Sequence, residues 1–391
     1  MDIIKLVKEK EKQMIKIRRD LHQIPELGLE LPKTMEYISN FLDSNNISYK
    51  KLLNGNAIVA QIDGNEKGKC FAIRTDCDGL PIIEETGLEF ASKNGNMHAC
   101  GHDGHMAMAM TALMVLNENR DKFKGTVKML FQPGEEFPGG ALPMIEEGCM
   151  ENPKVDAVIG LHHGKFFPVS HGNIGVKAGA LMASMDRFQI TVNGKGSHGA
   201  QPHLSTDTIT VASEIVLALQ KIHSREMNPL DNSVISVCQI HGGSTQNILP
   251  ESVFLEGTVR ALDENVRKNI AKRIEEIANG IAKTYGCSAN VVYEFKYPVV
   301  ENDADFTDFF VNIAKNTLGD SIVEYIERPT MGGEDMSYFL QKAKGTFFML
   351  TNLKDVRYGN HNPKFDVDED TFYKGATLFV ATAMKYLNEG E

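Results

Sequence analysis

The chain has 391 residues, 42% of them hydrophobic and 24% charged, the make-up of an ordinary globular protein long enough for two domains. Its 41 Lys and Arg against 52 Asp and Glu give a net charge of −11, which removes the counterion-release term that nucleic-acid binding relies on. No apolar run approaches the roughly 20 residues needed to cross a bilayer, so neither a nucleic-acid nor a membrane partner is expected.

The N-terminal segment through His22 mixes charges with Ile3, Ile4, Val7, Met14, Ile15 and Leu21 at helix-like intervals, which predicts a first helix and no export signal. The six cysteines (Cys70, Cys77, Cys100, Cys149, Cys238, Cys287) have no disulfide-scaffold spacing, so reduced thiols and a cytoplasmic location are expected. Asn56 to Ile62 and Lys69 to Thr75 read as strands, Asp103 to Glu118 as a helix, and Thr126 to Phe131 and Val155 to Leu161 as further strands. This alternation predicts an α/β fold: an open, mostly parallel sheet flanked by helices. Three of its strands run into polar clusters, and such sheets bind ligands outside the carboxyl ends of their strands.

The pattern changes near Ala183. Asp186 to Asn193 alternates like a half-exposed strand, Asp207 to Ile222 reads as an amphipathic helix, and Asn232 to Ile240 and Ser252 to Ala261 read as strands. A helix from Glu264 to Tyr285 and a strand from Ser288 to Phe295 complete a β-α-β-β-α-β order. We therefore expect an inserted ferredoxin-like α+β domain over 182–296, dividing a catalytic domain into 1–181 and 297–391. Its edge strands make it the expected lid and dimer contact, giving a homodimer or higher homo-oligomer.

The densest chemical signal is His98-Ala99-Cys100-Gly101-His102-Asp103-Gly104-His105, one thiol and three imidazoles ahead of an apolar helix. Such donors suit a transition metal, and Cys100 and His102, two apart at a turn, can bind together. A helix cap with incidental histidines fits the same residues. In Gln132-Pro133-Gly134-Glu135-Glu136 a strand ends in Pro-Gly and presents two carboxylates. The break lets both enter one pocket, one to ligate a metal and the other to act as general base, although an exposed acidic loop is the plainer alternative. His162-His163 at another strand end and Asn360-His361-Asn362-Pro363 near the C-terminus add ligand-type side chains that folding can bring to the same place.

Taken in order, Arg18-Arg19-Asp20-Leu21-His22, Arg74-Thr75-Asp76-Cys77-Asp78-Gly79-Leu80-Pro81, the HACGHDGH run, Gln132 to Glu136, Gly196-Ser197-His198-Gly199-Ala200 and Gly332-Gly333-Glu334-Asp335 identify a resemblance. The whole chain resembles the metal-dependent amidohydrolases that include bacterial aminoacylases, hippurate hydrolases and plant auxin-conjugate hydrolases, a branch of the carboxypeptidase G and aminoacylase peptidase family. The resemblance implies Cys100, His102, Glu136, His162 and His361 as ligands of two divalent metals, zinc or else manganese, cobalt or nickel, with one ligand bridging. It implies Glu135 as general base and acid and Asp78 as the carboxylate that orients a ligand. Asp76 stands where most of the wider family has a metal-binding His, a departure shared by the branch with Cys in its site. It also implies His198 as an oxyanion stabiliser, often acting from a neighbouring subunit, and Asn247 and Arg260 as holders of the substrate's carboxylate. The implied reaction is hydrolysis of N-acyl amino acids, acetyl, benzoyl or similar. A dipeptidase or carboxypeptidase of the same mechanism is the alternative, followed by a cysteine hydrolase using Cys100.

Overall fold

Short runs of β-branched and aromatic residues build the centre of an eight-stranded sheet, and strands Cys70–Asp76 and Ala157–Gly164 are buried at every residue. Burial on both faces is what a central parallel strand requires. The computed structural model describes residues 1–389. From one edge, the sheet runs Ser48–Leu52, Ala57–Asp63, Thr126–Gln132, Cys70–Asp76, Ala157–Gly164, Lys344–Thr351, Ile174–Val176 and Val323–Tyr325. The four central strands, Thr126–Gln132 through Lys344–Thr351 in that order, are mutually parallel. Their C-terminal residues therefore lie along one edge of the sheet. The fold is α/β with a mostly parallel centre, and antiparallel pairings close its sides.

The helix His102–Glu118 is buried from His102 to Leu116, so it has no polar face to display. It packs against the sheet and against helices Glu11–His22 and Phe372–Asn388. Its entry depends on glycine: Gly101 has φ +92°, and a Cβ on Gly104 would lie 2.3 Å from His163 Nε2. The N-terminal segment read as one helix is two, Ile3–Lys8 and Glu11–His22, and Asp2 caps the first by accepting the Lys5 N–H. A further helix, Pro32–Ser44, begins at a proline and buries Thr34, Met35, Ile38, Phe41 and Leu42 on one face.

This sheet and these helices belong to one compact unit, Met1–Gly179 with Glu301–Arg328 and Asp335–Glu391; the second unit is Ala180–Val300 with Pro329–Glu334. In the second unit, antiparallel strands lie in the order Ser233–Gly242, Ser252–Ala261, Asp186–Asn193, Ser288–Phe295. Helices Thr208–Lys221 and Glu264–Thr284 bury Val211, Ile215, Leu219, Ile270, Ile274 and Ala278 with Phe188, Ile190 and Val192, the inward-facing residues of one strand. Chain order is thus β-α-β-β-α-β. Buried Asp186 accepts from Arg267 at 2.6 and 2.9 Å and from Tyr293 Oη at 2.8 Å, fixing strand to helix. Among the described residues, no helix is long and apolar enough to cross a membrane.

Candidate metal centre

Strand ends at the carboxyl edge of the parallel sheet carry the polar residues. Asp76 ends its strand and Asp78 lies two residues beyond it. After Gln132, Pro133 and Gly134 (φ +68°) turn the chain, and a Cβ at Gly134 would meet Leu29 Cδ2 at 2.7 Å. The turn brings the carboxylates of Glu135 and Glu136 to one side. One oxygen from each lies within 4.8 Å of the other and of a His102 nitrogen. Asp78 secures this arrangement by accepting the backbone N–H of Glu135 at 3.0 Å and of Glu136 at 3.1 Å.

Cys100 arrives from the turn before the buried helix, His102 is the first residue of that helix, and His162 lies within its strand, two residues from the end. His361 comes from a loop 261 residues beyond Cys100. That loop is docked on the site: His361 N–H donates to Ala99 O at 2.7 Å, and Asn360 Nδ2 donates to Cys100 O at 3.1 Å. His361 holds φ +68°, a conformation unusual for a side-chain-bearing residue and sustained by these contacts.

Cys100 Sγ is the hub. It lies 3.3 Å from His162 Nε2 and 3.2 Å from His361 Nε2, and His361 Nε2 is 3.1 Å from Glu136 Oε1. Two groups able to hold an ion, Cys100 with His102 and His162 and Cys100 with Glu136 and His361, share this sulfur. His162 Nδ1 faces His163 O at 2.8 Å, which assigns the proton to Nδ1 and leaves the Nε2 lone pair toward Cys100. Neither nitrogen of His102 makes a hydrogen bond among the described residues, although both are buried. Orphaned buried polar atoms are costly in protein alone, and a divalent cation would satisfy them. Sulfur, imidazole and carboxylate donors together fit a borderline transition-metal ion.

The carboxylates around the donors favour positive charge at this place. Burial pushes the Cys100 thiol well up, and Glu136 and Glu135 push it further, so only a cation would favour its thiolate. Burial works against a charged His102, but Asp76 and Asp78 outweigh it and carry the imidazole up to about 10. Burial opposes ionisation of Glu136 too, and the contact with His361 and the nearby His102 offset it and hold the carboxyl below its ordinary value. Burial raises Asp78, whose Oδ1 stands 3.4 Å from His102 Nδ1. Burial also takes His162 well down, which keeps it neutral.

A buried polar scaffold supports the cluster, a role that sequence reasoning assigns to none of its members; His105, one of the three imidazoles read there as candidate metal donors, belongs to it. Arg74 donates to Asp76 at 2.9 Å, to Gln132 at 2.8 Å and to Asp335 at 2.7 Å. Asp335 also accepts from Gln132 Nε2 at 2.8 Å and from the N–H groups of Gly140 and Ala141 at 3.1 Å, clamping the loop that carries Glu135 and Glu136. Asp76 pairs with His105 Nδ1 at 2.6 Å, and His105 Nε2 accepts the His163 N–H at 3.0 Å. Asp103, next to His102, accepts from Arg18 at 2.8 Å and contacts His22 Nδ1 at 2.7 Å. The sequence signals for these partners are the RRDLH, RTDCDG, HACGHDGH, QPGEE and GGED runs themselves.

His198, Asn247 and Arg260 belong to the second unit. His198 is exposed on a two-residue strand, Ser197–His198, paired with Ile248–Leu249, and Gly199 N–H donates to Asn247 O at 2.7 Å. The loops bearing His198 and Asn247 are therefore neighbours. Arg260 is half-buried at the end of its strand, with Nη1 donating to Thr258 Oγ1 and, at 2.9 Å, to Val259 O.

Comparison with known proteins adds a family. The model for peptidase family M20/M25/M40 matches residues 72–385. An N-acetyl-L-cysteine deacetylase of Bacillus subtilis is 38% identical, over 97% of this chain and 90% of that one. Thermostable carboxypeptidase 1 of Saccharolobus solfataricus is 38% identical over 98% of each. The crystal structure of Bacillus subtilis YXEP, described as a dinuclear metal binding peptidase, superposes with a TM-score of 0.84 at 34% identity, covering 97% of this chain and 99% of that one.

Proposed function

The chain belongs to peptidase family M20/M25/M40 and is a hydrolase, and on that premise we propose that it cleaves the amide bond of N-acyl amino acids, releasing a carboxylic acid and a free amino acid. The observation that carries this reading is the convergence of Cys100, His102, Glu136, His162 and His361 with a further carboxylate, Glu135, beside them. These five would hold a pair of divalent ions. Such an ion supplies Lewis acidity when bound, toward an amide carbonyl and toward water, whose pKa it lowers from 15.7 to about 7.

The chain's own residues do the rest. Asp78 faces His102 Nδ1 and holds the backbone of Glu135 and Glu136, so it orients a ligand and the base together. Glu135 takes the proton of the attacking water and delivers it to the departing nitrogen, since an amide's amine leaves only when protonated. His198 is assigned to the developing oxyanion. Asn247 and Arg260 are assigned to the substrate carboxylate, for which the planar guanidinium is suited. The second unit serves as lid and dimer contact.

A relative named as a carboxypeptidase supports a second reading, cleavage of a C-terminal peptide bond by the same residues. A cysteine nucleophile at Cys100 is disfavoured because burial and two carboxylates hold its thiol protonated. A panel of N-acyl amino acids and dipeptides, assayed on the metal-loaded protein, tests the proposal. Turnover of acyl amino acids above dipeptides supports it, and turnover of dipeptides alone favours the second reading.

A further inference from the structure

Asn360 is half-buried in the loop that delivers His361, and its side-chain amide reaches the segments of two further candidate ligands, Cys100 and His162. Its Nδ2 donates to Cys100 O at 3.1 Å and to His163 O at 3.3 Å, and its Oδ1 accepts the Lys165 N–H at 3.3 Å. Carbonyls at one end and an N–H at the other fix which way round the amide stands. His163 O is also the atom that His162 Nδ1 faces at 2.8 Å, so the amide is one hydrogen bond removed from the proton that orients His162. Asn360 Nδ2 stands 4.0 Å from Cys100 Sγ as well, which turns the positive end of the amide dipole toward the sulfur. The opposite wall is shaped to admit this side chain: Gly164 has φ +120°, and a Cβ there would lie 2.3 Å from Asn360 Oδ1 and 2.7 Å from Nδ2.

We propose that Asn360 is a positioning residue for the metal centre: by clamping the carbonyls of Cys100 and His163 it holds Cys100, His162 and His361 in place ahead of the ion, and so sets how tightly the protein keeps its metal. The inference rests on the reading of these residues as metal ligands. Both imidazoles must meet one sulfur, His162 Nε2 at 3.3 Å and His361 Nε2 at 3.2 Å, although they come from a strand and from a distant loop. His361 also holds a left-handed φ of +68°, a conformation that relaxes unless its surroundings enforce it. The Asn360 amide spans all three segments where they meet. Ligands already in place bind an ion without first having to be ordered, so the clamp adds affinity. Asn is suited to this position because one short side chain carries both the paired donors and the acceptor. Leucine would fill the same space and leave both carbonyls without this donor.

The test titrates cobalt(II) into the chelated parent, Asn360→Leu and Asn360→Ala against a competing chelator, and records the thiolate-to-cobalt charge-transfer absorption of each. Both variants are expected to bind cobalt about 10–100-fold more weakly, the usual loss when a partner that orients metal ligands is removed. Both are also expected to show a shifted or weaker absorption per bound cobalt, because the sulfur and the two imidazoles no longer meet in the same geometry. A side chain that only stabilised the loop would lower the melting temperature and leave that absorption where it is. Affinity and absorption equal to the parent's overturn the inference and leave the metal centre standing. Weakening by Asn360→Leu alone would assign the effect to volume and overturn it as well. A parent that binds no cobalt overturns the metal reading itself, and this inference falls with it.

Discussion

Arg74 and Asp335, separated by 261 residues, form a buried ion pair at 2.7 Å with side chains that are 1% and 0% exposed. The same guanidinium neutralises Asp76, so one cation balances two carboxylates under the ligand cluster. Arg74→Met leaves both carboxylates buried without it, and breaking a buried pair in this way costs about 3–5 kcal/mol. The expected outcome is a large fall in the urea midpoint of the metal-free protein. A midpoint equal to the parent's would mean that the scaffold is not held by this pair.

Glu135→Gln keeps the volume and the backbone N–H that Asp78 accepts, and removes only the ability to carry a proton. Turnover is expected to fall by at least about 10²–10⁴, the range for general-base catalysis, with metal content unchanged. Elemental analysis and a hydrolysis assay on the same sample check this. Near-parental turnover would place the base elsewhere.

Cys100→Ser tests the hub. The alcohol is a far weaker ligand than a thiolate for a borderline metal, so bound metal per chain and turnover are both expected to drop. Parental metal content and rate would exclude the sulfur as a ligand.

His22 and Glu84 give a pH dependence away from the ligands, meeting at 3.1 Å. Burial works against the charge of each; Asp103 and Glu84 raise His22 above its ordinary 6.5, and the contact with His22 lowers Glu84 below its ordinary 4.5. The raised imidazole contributes stability that is fully present below 6.5 and lost as pH rises through its folded value. The lowered carboxyl contributes stability present above 4.5 and lost as pH falls through its folded value. The stability difference between the parent and Glu84→Gln is therefore expected to be largest from about 4.5 to 6.5 and to narrow on either side. Thermal melts across that range check it, and a constant difference would contradict it.

Much of the fold is legible because long elements carry strong periodicity: the strands 186–193, 252–261 and 288–295 have the extents that alternation assigns. The three-residue strands Ile174–Val176 and Val323–Tyr325 are too short for any period to register. Pro329–Glu334, which the second unit takes up after the chain has left it, has no local signature because tertiary contact alone places it. At the site, the HACGH and PGEE runs are readable because one turn brings neighbouring donors together. Arg74 with Asp335 and Asp103 with Arg18 are not, since a buried ion pair formed across the chain leaves no spacing in the sequence. Asp76 illustrates the limit: buried at the end of its strand, it is engaged by Arg74 and His105.

The central claim is that these converging side chains hold divalent metal on which amide hydrolysis depends. The most direct measurement follows bound metal by elemental analysis and hydrolysis of an N-acyl amino acid together, through chelation and stepwise readdition of zinc, manganese, cobalt or nickel. The account predicts an idle chelated protein whose turnover returns in step with metal uptake, and a Cys100→Ser variant that recovers neither. Full turnover by protein that contains no metal would contradict it.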